Sequence, residues 1–270
     1  MEPIDVVVRG ALGKMGQEVL RTLCFDAGLR PVAGVDAKAV GSEMALPDGS
    51  GSIPLAADLE SVLTRIHADV MVDFTSAGAV MPAVRSAIAA SVRPVVGTTG
   101  LTSADNDEIS SLCRRSGVGA VIAPNFSLAA VLMVHLSRLA ARYFDYAEII
   151  EMHHEQKTDS PSGTALTTAM QMVEARGEAF KRAPTAHESV AGCRGGEYEG
   201  VALHSLRMPG MLAHQEIVLG APGQTLRLRL DQISREAFMP CVTLAVKKVM
   251  ELREAVFGMD SLLGLEGEPC

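Results

Sequence analysis

The chain has 270 residues, 48% of them apolar and 4% aromatic, with no tryptophan and a formal net charge of −8. That length holds one large or two ordinary domains, and the apolar share is enough to fill their cores. The acidic balance and the scarcity of aromatics argue against a nucleic-acid or anionic-membrane partner, and no apolar run approaches the ~20 residues of a membrane span.

Ile4–Val8 reads as a buried strand. Gly13–Ala27 follows with Met15, Val19, Leu20 and Leu23 at helical spacing. Pro31–Val35 is a second strand, and Gly41–Pro54, rich in Gly, Ser and Pro, reads as an exposed loop. Asp69–Phe74, Val92–Val96 and Gly119–Ala123 are further strands, each preceded by a plausible helix. This alternation implies an α/β fold, a parallel sheet with helices on its faces. The character changes after residue 126. A longer helix, Ser127–Tyr143, leads to a strand, Ala147–Met152, and to a helix from about Ser162 to Ala175. Lys181–Glu199 reads as a loop. Val201–Arg207, Gln215–Leu219 and Thr225–Leu230 read as strands, the last two joined as a hairpin by Ala221-Pro-Gly-Gln224, before a final helix over Phe238–Arg253.

Three glycines, Gly10, Gly13 and Gly16, sit between the first strand and the first helix. There a glycine permits a sharp turn, close approach of a phosphate and tight helix packing. Asp36 ends the second strand about twenty residues on, where an acid binds ribose hydroxyls. A dinucleotide is the reading preferred to a bare glycine turn. Asp36 favours NAD, while Lys14 and Lys38 can meet the extra phosphate of NADP. The turns Phe74-Thr75-Ser76 and Gly97-Thr98-Thr99-Gly100 follow later strands, where open α/β sheets bind ligands. Read singly, they are equally well ordinary connections.

The run Glu151-Met-His-His-Glu-Gln-Lys-Thr-Asp-Ser-Pro-Ser-Gly-Thr-Ala165 carries most of the chemistry. Adjacent His153 and His154 point in different directions on an extended chain, so one can donate a proton while the other binds substrate. Lys157 adds positive charge. Ser162, Gly163 and Thr164 offer hydroxyls and N–H groups at a helix start, which suits an anion and also suits plain capping. Structural histidines are the alternative. His153, His154 and Glu155 lack His-Glu-x-x-His spacing, so no metal is expected. The five cysteines, Cys24, Cys113, Cys193, Cys241 and Cys270, are scattered without a C-x-x-C pair, which suits a reducing compartment. The N-terminal residues show no leader pattern, so the expectation is a soluble cytoplasmic protein.

The segment Glu151–Ala165 matches in full the signature Glu-x-His-His-x-x-Lys-x-Asp-x-Pro-Ser-Gly-Thr-Ala, and on it the chain resembles the dihydrodipicolinate reductase family. The glycine turn with Met15, Asp73-Phe74-Thr75, Gly97–Gly100 and Pro124-Asn125-Phe126-Ser127 are similar to that family's motifs. The resemblance implies a Rossmann-type domain over residues 1–126 and 239–270, to which the last helix returns. It implies a second α/β domain with an open mixed sheet over 127–238, for substrate binding and assembly into a homotetramer. It implies reduction of a cyclic unsaturated imine, a small dicarboxylate, by NADH or NADPH. His153 would supply the proton, assisted by Lys157, which would also bind a substrate carboxylate. His154, Ser162, Gly163 and Thr164 would bind the dicarboxylate. Gly10, Gly13, Lys14, Met15, Gly16, Asp36, Phe74, Gly97, Thr98, Thr99, Pro124, Asn125, Phe126 and Ser127 would line the cofactor site. Ala37 stands where NADP-using members often carry Arg, and Lys14 replaces an Arg common in the glycine turn. The Lys14 change is mild, whereas Ala37 argues against a strong NADPH preference and leaves use of both cofactors open. Another imine- or aldehyde-reducing dehydrogenase, or a dinucleotide-binding regulator without turnover, are the competing readings.

Overall fold

The computed structural model describes residues 2–265. Up to Leu128, and again from Phe238, the chain forms one compact unit; Ala129–Ala237 forms a second.

In the first unit, β1 (Ile4–Arg9), β2 (Leu29–Val35), β3 (Glu43–Ala45), β4 (Ser52–Ala56), β5 (Val70–Asp73), β6 (Arg93–Val96), β7 (Ala120–Ile122) and β13 (Ala255–Phe257) make one sheet. Its order is β13-β7-β6-β5-β1-β2-β4-β3, parallel throughout except for the β3–β4 pair. The central strands are apolar on both faces, as a strand covered by helices on both sides must be: Val6, Val7 and Val8 are all fully buried. Helix α1 (Lys14–Phe25) lays Val19, Leu20 and Leu23 inward, each burial stabilising by ~1.5–3 kcal/mol. Helices α2 (Leu59–Leu63), α3 (Ala77–Ala89) and α4 (Ser103–Ser116) share a core with Val7, Met71 and Val96.

The second unit holds α5 (Leu128–Ala141), β8 (Tyr146–His153), α6 (Gly163–Arg176), β9 (Gly196–Tyr198), β10 (Val201–Arg207), β11 (Ala213–Ala221) and β12 (Gln224–Gln232). Its sheet runs β12-β11-β8-β10-β9 and is mixed, with β8 and β10 parallel and the other pairs antiparallel. Ile149, Leu203, Ile217 and Leu219 bury one face against Met133 of α5 and Ala165, Ala169 and Met172 of α6. The α/β class with a Rossmann-type parallel sheet and a second mixed sheet is thus observed.

Three segments differ from the sequence expectation. Gly41–Pro54 is not loop throughout: it holds β3 and most of β4, where Ile53 and Leu55 alternate inward. β3 is the edge strand, and β4 pairs with β2 only at Leu55 and Ala56, so Pro54 sits where one side of the backbone needs no partner. Lys181–Glu199 contains β9, which turns back onto β10 through Glu199 (φ 45°) and Gly200 (φ 83°). The last helix is shorter than expected. Arg235–Phe238 is a 3-10 turn, α7 spans Met239–Val249 with Pro240 in its first turn, and β13 then adds an edge strand parallel to β7. A three-residue strand has no readable periodicity, because its neighbour's ladder makes it a strand.

No helix among the described residues is long and apolar enough to cross a membrane. Cys24, Cys113, Cys193 and Cys241 are free thiols; Cys270 lies outside the described residues.

Candidate active site

In the first unit every predicted cofactor residue follows the carboxyl end of a strand. Gly10 to Gly16 follow β1, Asp36 follows β2, Phe74 follows β5, Gly97 to Thr99 follow β6, and Pro124 to Phe126 follow β7. Since these five strands are neighbours, the residues share one edge of the sheet. The glycines are needed by packing. A Cβ on Gly16 would lie 2.1 Å from the Gly10 carbonyl oxygen, and one on Gly97 would lie 2.1 Å from the Phe74 ring. That ring meets Phe126 edge to face at 5.7 Å. The N–H groups of Lys14, Met15 and Gly16 open α1 and have no partner among the described residues, while Gln17 already bonds back to Gly13. No acid lies in that first turn. Unpaired N–H groups at a helix start, with no carboxylate beside them, suit a pyrophosphate. Asp36 is pinned as an acceptor, taking the N–H of Leu12 at 3.0 Å and that of Lys38 at 2.9 Å.

Behind this edge, Asp73 is fully buried and paired with Arg9. It accepts the hydroxyls of Thr75 (2.7 Å) and Thr98 (2.9 Å) and the Thr75 N–H (3.0 Å). Thr98 Oγ1 in turn accepts that same N–H at 2.8 Å. The Thr98 hydroxyl is thus spent on tying two turns together. Ser127 N–H donates to Asn125 Oδ1 at 2.8 Å, which shapes the turn after β7.

In the second unit, β8 ends at His153. Residues two apart on a strand share a face, so Glu151 and His153 lie side by side. Glu151 is 1% exposed. It takes His153 Nδ1–H at 2.5 Å, Arg207 at 2.7 and 3.0 Å, and the Ser162 N–H at 3.2 Å. Burial pushes its pKa up, but hydrogen bonds from Arg207, Ser205 and His153 outweigh this and leave it below the usual range. For His153 burial dominates and lowers the pKa, against the pull of Glu151. His153 Nε2 has no partner among the described residues.

A turn closed by Lys157 N–H on the His154 carbonyl (3.1 Å) brings Lys157 back beside Asp159, 2.7 Å from its Nζ. That hydrogen bond holds the Asp159 pKa low. Ser162 caps α6, its Oγ accepting the Ala165 N–H at 3.2 Å. Its hydroxyl therefore serves the helix, as the capping reading allowed. The N–H groups of Gly163 and Thr164 remain without partners among the described residues, and Thr164 offers a half-buried hydroxyl. Glu151 and Arg207 were not singled out by sequence reasoning. The Glu-x-His spacing at a strand end was the signal for Glu151. Arg207 had none, since it comes from β10.

Two other features stand apart. A recess of about 760 Å³ in the second unit is lined by Ser160, Pro161, Leu166, Tyr198, His204 and Ser205, among others, but by none of His153, His154, Lys157, Ser162, Gly163 and Thr164. Asp5, His67 and Asp69 bring ligand atoms within 4.8 Å of one another, yet Arg30 already takes both Asp5 oxygens, at 2.6 and 2.9 Å.

A parallel sheet with a glycine turn that fits a pyrophosphate, in a chain whose second unit presents a held imidazole, defines a pyridine-nucleotide-dependent oxidoreductase. The family models described as dihydrodipicolinate reductase, N-terminus and C-terminus, match residues 4–126 and 129–263. A 4-hydroxy-tetrahydrodipicolinate reductase of Dehalococcoides mccartyi (strain BAV1) is 54% identical over 98% of this chain and all of its own. One of Moorella thermoacetica is 47% identical over 96% and 98%. The dipicolinate-bound dihydrodipicolinate reductase of Paenisporosarcina sp. TG-14 superposes with a TM-score of 0.86 at 39% identity, over 96% of this chain and 99% of its own. The chain belongs to the dihydrodipicolinate reductase family, and it is an NAD(P)H-dependent oxidoreductase of the diaminopimelate and lysine route. An amine dehydrogenase of Mycobacterium smegmatis, at 16% identity and a TM-score of 0.63 over 92% of each chain, shares the fold alone.

Proposed function

We propose that the chain reduces 4-hydroxy-tetrahydrodipicolinate, by way of dihydrodipicolinate, to tetrahydrodipicolinate, with His153 as proton donor and Lys157 assisting. The substrate is a small dicarboxylate, the class to which the dipicolinate held by the Paenisporosarcina relative belongs. Bound NADH or NADPH supplies the hydride, to C4 of the ring. The unpaired N–H groups of Lys14, Met15 and Gly16 would hold its pyrophosphate and Asp36 its ribose. Gly13, Phe74, Gly97, Thr99, Pro124, Asn125 and Phe126 would line the rest, with Thr98 holding the turns from behind.

The observation that carries the reading is the imidazole fixed through Nδ1 by a buried carboxylate, with Nε2 unpaired among the described residues. The imidazolium gives its Nε2 proton to the ring carbanion left after hydride addition, which completes the reduction. Lys157 stabilises developing negative charge and meets one carboxylate. The N–H groups of Gly163 and Thr164, the Thr164 hydroxyl and His154 grip the other, at a helix N-terminus that favours an anion. Ser162 holds that terminus in shape. Residues 1–126 and 239–270 are assigned to the cofactor and 127–238 to substrate and assembly. A homotetramer in the cytoplasm completes the proposal.

The test follows reduced-nicotinamide absorbance with substrate generated in place from pyruvate and aspartate semialdehyde, with NADH and NADPH in parallel. Rapid enzyme-dependent oxidation, with NADH at least as effective as NADPH given Ala37, is expected. Cofactor binding without oxidation would overturn the substrate assignment.

A further inference from the structure

We propose that Glu151 is the positioning residue for proton delivery by His153: its buried carboxylate holds the imidazole by Nδ1, and Arg207 holds the carboxylate. The inference rests on the reading of His153 as proton donor and adds how that donor is aimed.

Both Glu151 oxygens are used. One accepts from Arg207 Nη2 and the Ser162 N–H, the other from His153 Nδ1 and Arg207 Nη1. A carboxylate satisfied in this way is ionised and immobile. An ionised carboxylate only accepts, so Nδ1 must carry a proton whether the ring is neutral or charged. Nε2 is therefore the nitrogen that gains and loses the working proton. Ring flipping is opposed as well, because it would set a carbon against the carboxylate. This is the usual way in which a group behind a histidine selects its tautomer.

Arg207 is more than a counter-charge. It stands opposite His153 in the parallel β8–β10 register, and its Nη2 also donates to the Asp159 carbonyl at 2.6 Å. One guanidinium thus ties the strand end to the segment leading into α6. Of the donors on Glu151, only His153 titrates near neutral pH.

The charged groups facing His153 are Glu151 on its own strand, Arg207 on β10 and Lys157 in the following turn. Burial, Lys157 and Arg207 all favour the neutral ring; Glu151 alone among them favours the imidazolium. Removing its charge must shift the ring's titration downward. Activity that needs the imidazolium falls as pH rises through that titration, so the falling limb should move to lower pH.

The experiment is Glu151→Gln in the full-length enzyme, with Glu151→Gln/Arg207→Met as a second variant in case an unpaired guanidinium prevents folding. We expect kcat to fall about 10- to 100-fold, the scale on which losing the group behind a working histidine acts and less than the 10²- to 10⁴-fold that the proton donor itself is worth. KM should be nearly unchanged and the falling limb should move to lower pH in both variants. Nitrogen-15 spectra of the wild-type enzyme should show the His153 proton on Nδ1 in the neutral ring. A folded variant with wild-type kcat and an unmoved limb, or a wild-type ring protonated on Nε2 alone, would overturn the proposal. His153→Gln, run alongside, separates the two readings. Wild-type turnover there defeats the donor role itself, whereas loss of turnover there but not in Glu151→Gln defeats only the role of Glu151.

Discussion

The two units use the same device to different ends. Each buries a carboxylate at the carboxyl end of a strand and pairs it with an arginine, Asp73 with Arg9 and Glu151 with Arg207. Each carboxylate then gathers the turn in front of it. Around Asp73 the remaining partners are two threonine hydroxyls and a backbone N–H, none of which titrates in the working range. Around Glu151 one partner is an imidazole. The first arrangement therefore makes a rigid cradle, and the second makes a cradle with a proton in it. A buried ion pair gives little net stability, but it specifies where its neighbours sit. What those neighbours are decides whether the site binds or reacts.

That contrast can be broken most sharply at His153. His153→Ala should lower kcat roughly 10²- to 10⁴-fold while leaving NAD(P)H affinity nearly intact, since the residues proposed to hold the cofactor belong to the other unit. Turnover and fluorescence titration of the same preparation would test it, and an unchanged rate would remove the chemical half of the comparison. Asp73→Asn should act on folding. It leaves Arg9 unpaired beside a buried amide, at a cost of about 3–5 kcal/mol in urea unfolding, and it loosens the Thr75 and Thr98 turns. A loss well under 1 kcal/mol would mean the first pair is dispensable. Thr164→Val removes one hydroxyl from the carboxylate grip and should raise the substrate KM roughly two- to tenfold with kcat little changed. An unchanged KM would count against that grip.

The smallest effect is on acid stability. Glu151 has a folded-state pKa below its ordinary 4.5, so its contribution is present above that value and is lost as pH falls toward the folded one. Unfolding midpoints should decline through this window, less steeply in Glu151→Gln. A Glu151→Gln variant with the wild-type slope would show that other carboxylates carry the acid sensitivity.

Local sequence made much of this legible. Val6–Val8, the glycines before α1 and the helical spacing of Val19, Leu20 and Leu23 declare a strand, a turn and a helix without any neighbour. The run Glu151–Ala165 is contiguous, so its histidines, lysine and helix start could be read together. Elements that depend on a neighbour were not readable. β9 and β13 have three residues each and exist because β10 and β7 offer them a ladder. β3 and β4 hide in a Gly- and Pro-rich stretch for the same reason. The Ser162 hydroxyl, equally suited to ligand or cap, turned out to serve as the cap.

The sequence by itself determined the alternation of strands and helices, the place of the glycine-rich turn and the chemical types in the site, because periodicity and short motifs act within a few residues. Only the tertiary structure decided which imidazole nitrogen is held. The holding group sits two residues away, but the arginine that fixes it comes from a strand more than fifty positions on. A proton's position depends on groups meeting in space, and that meeting follows from the register of β8 against β10.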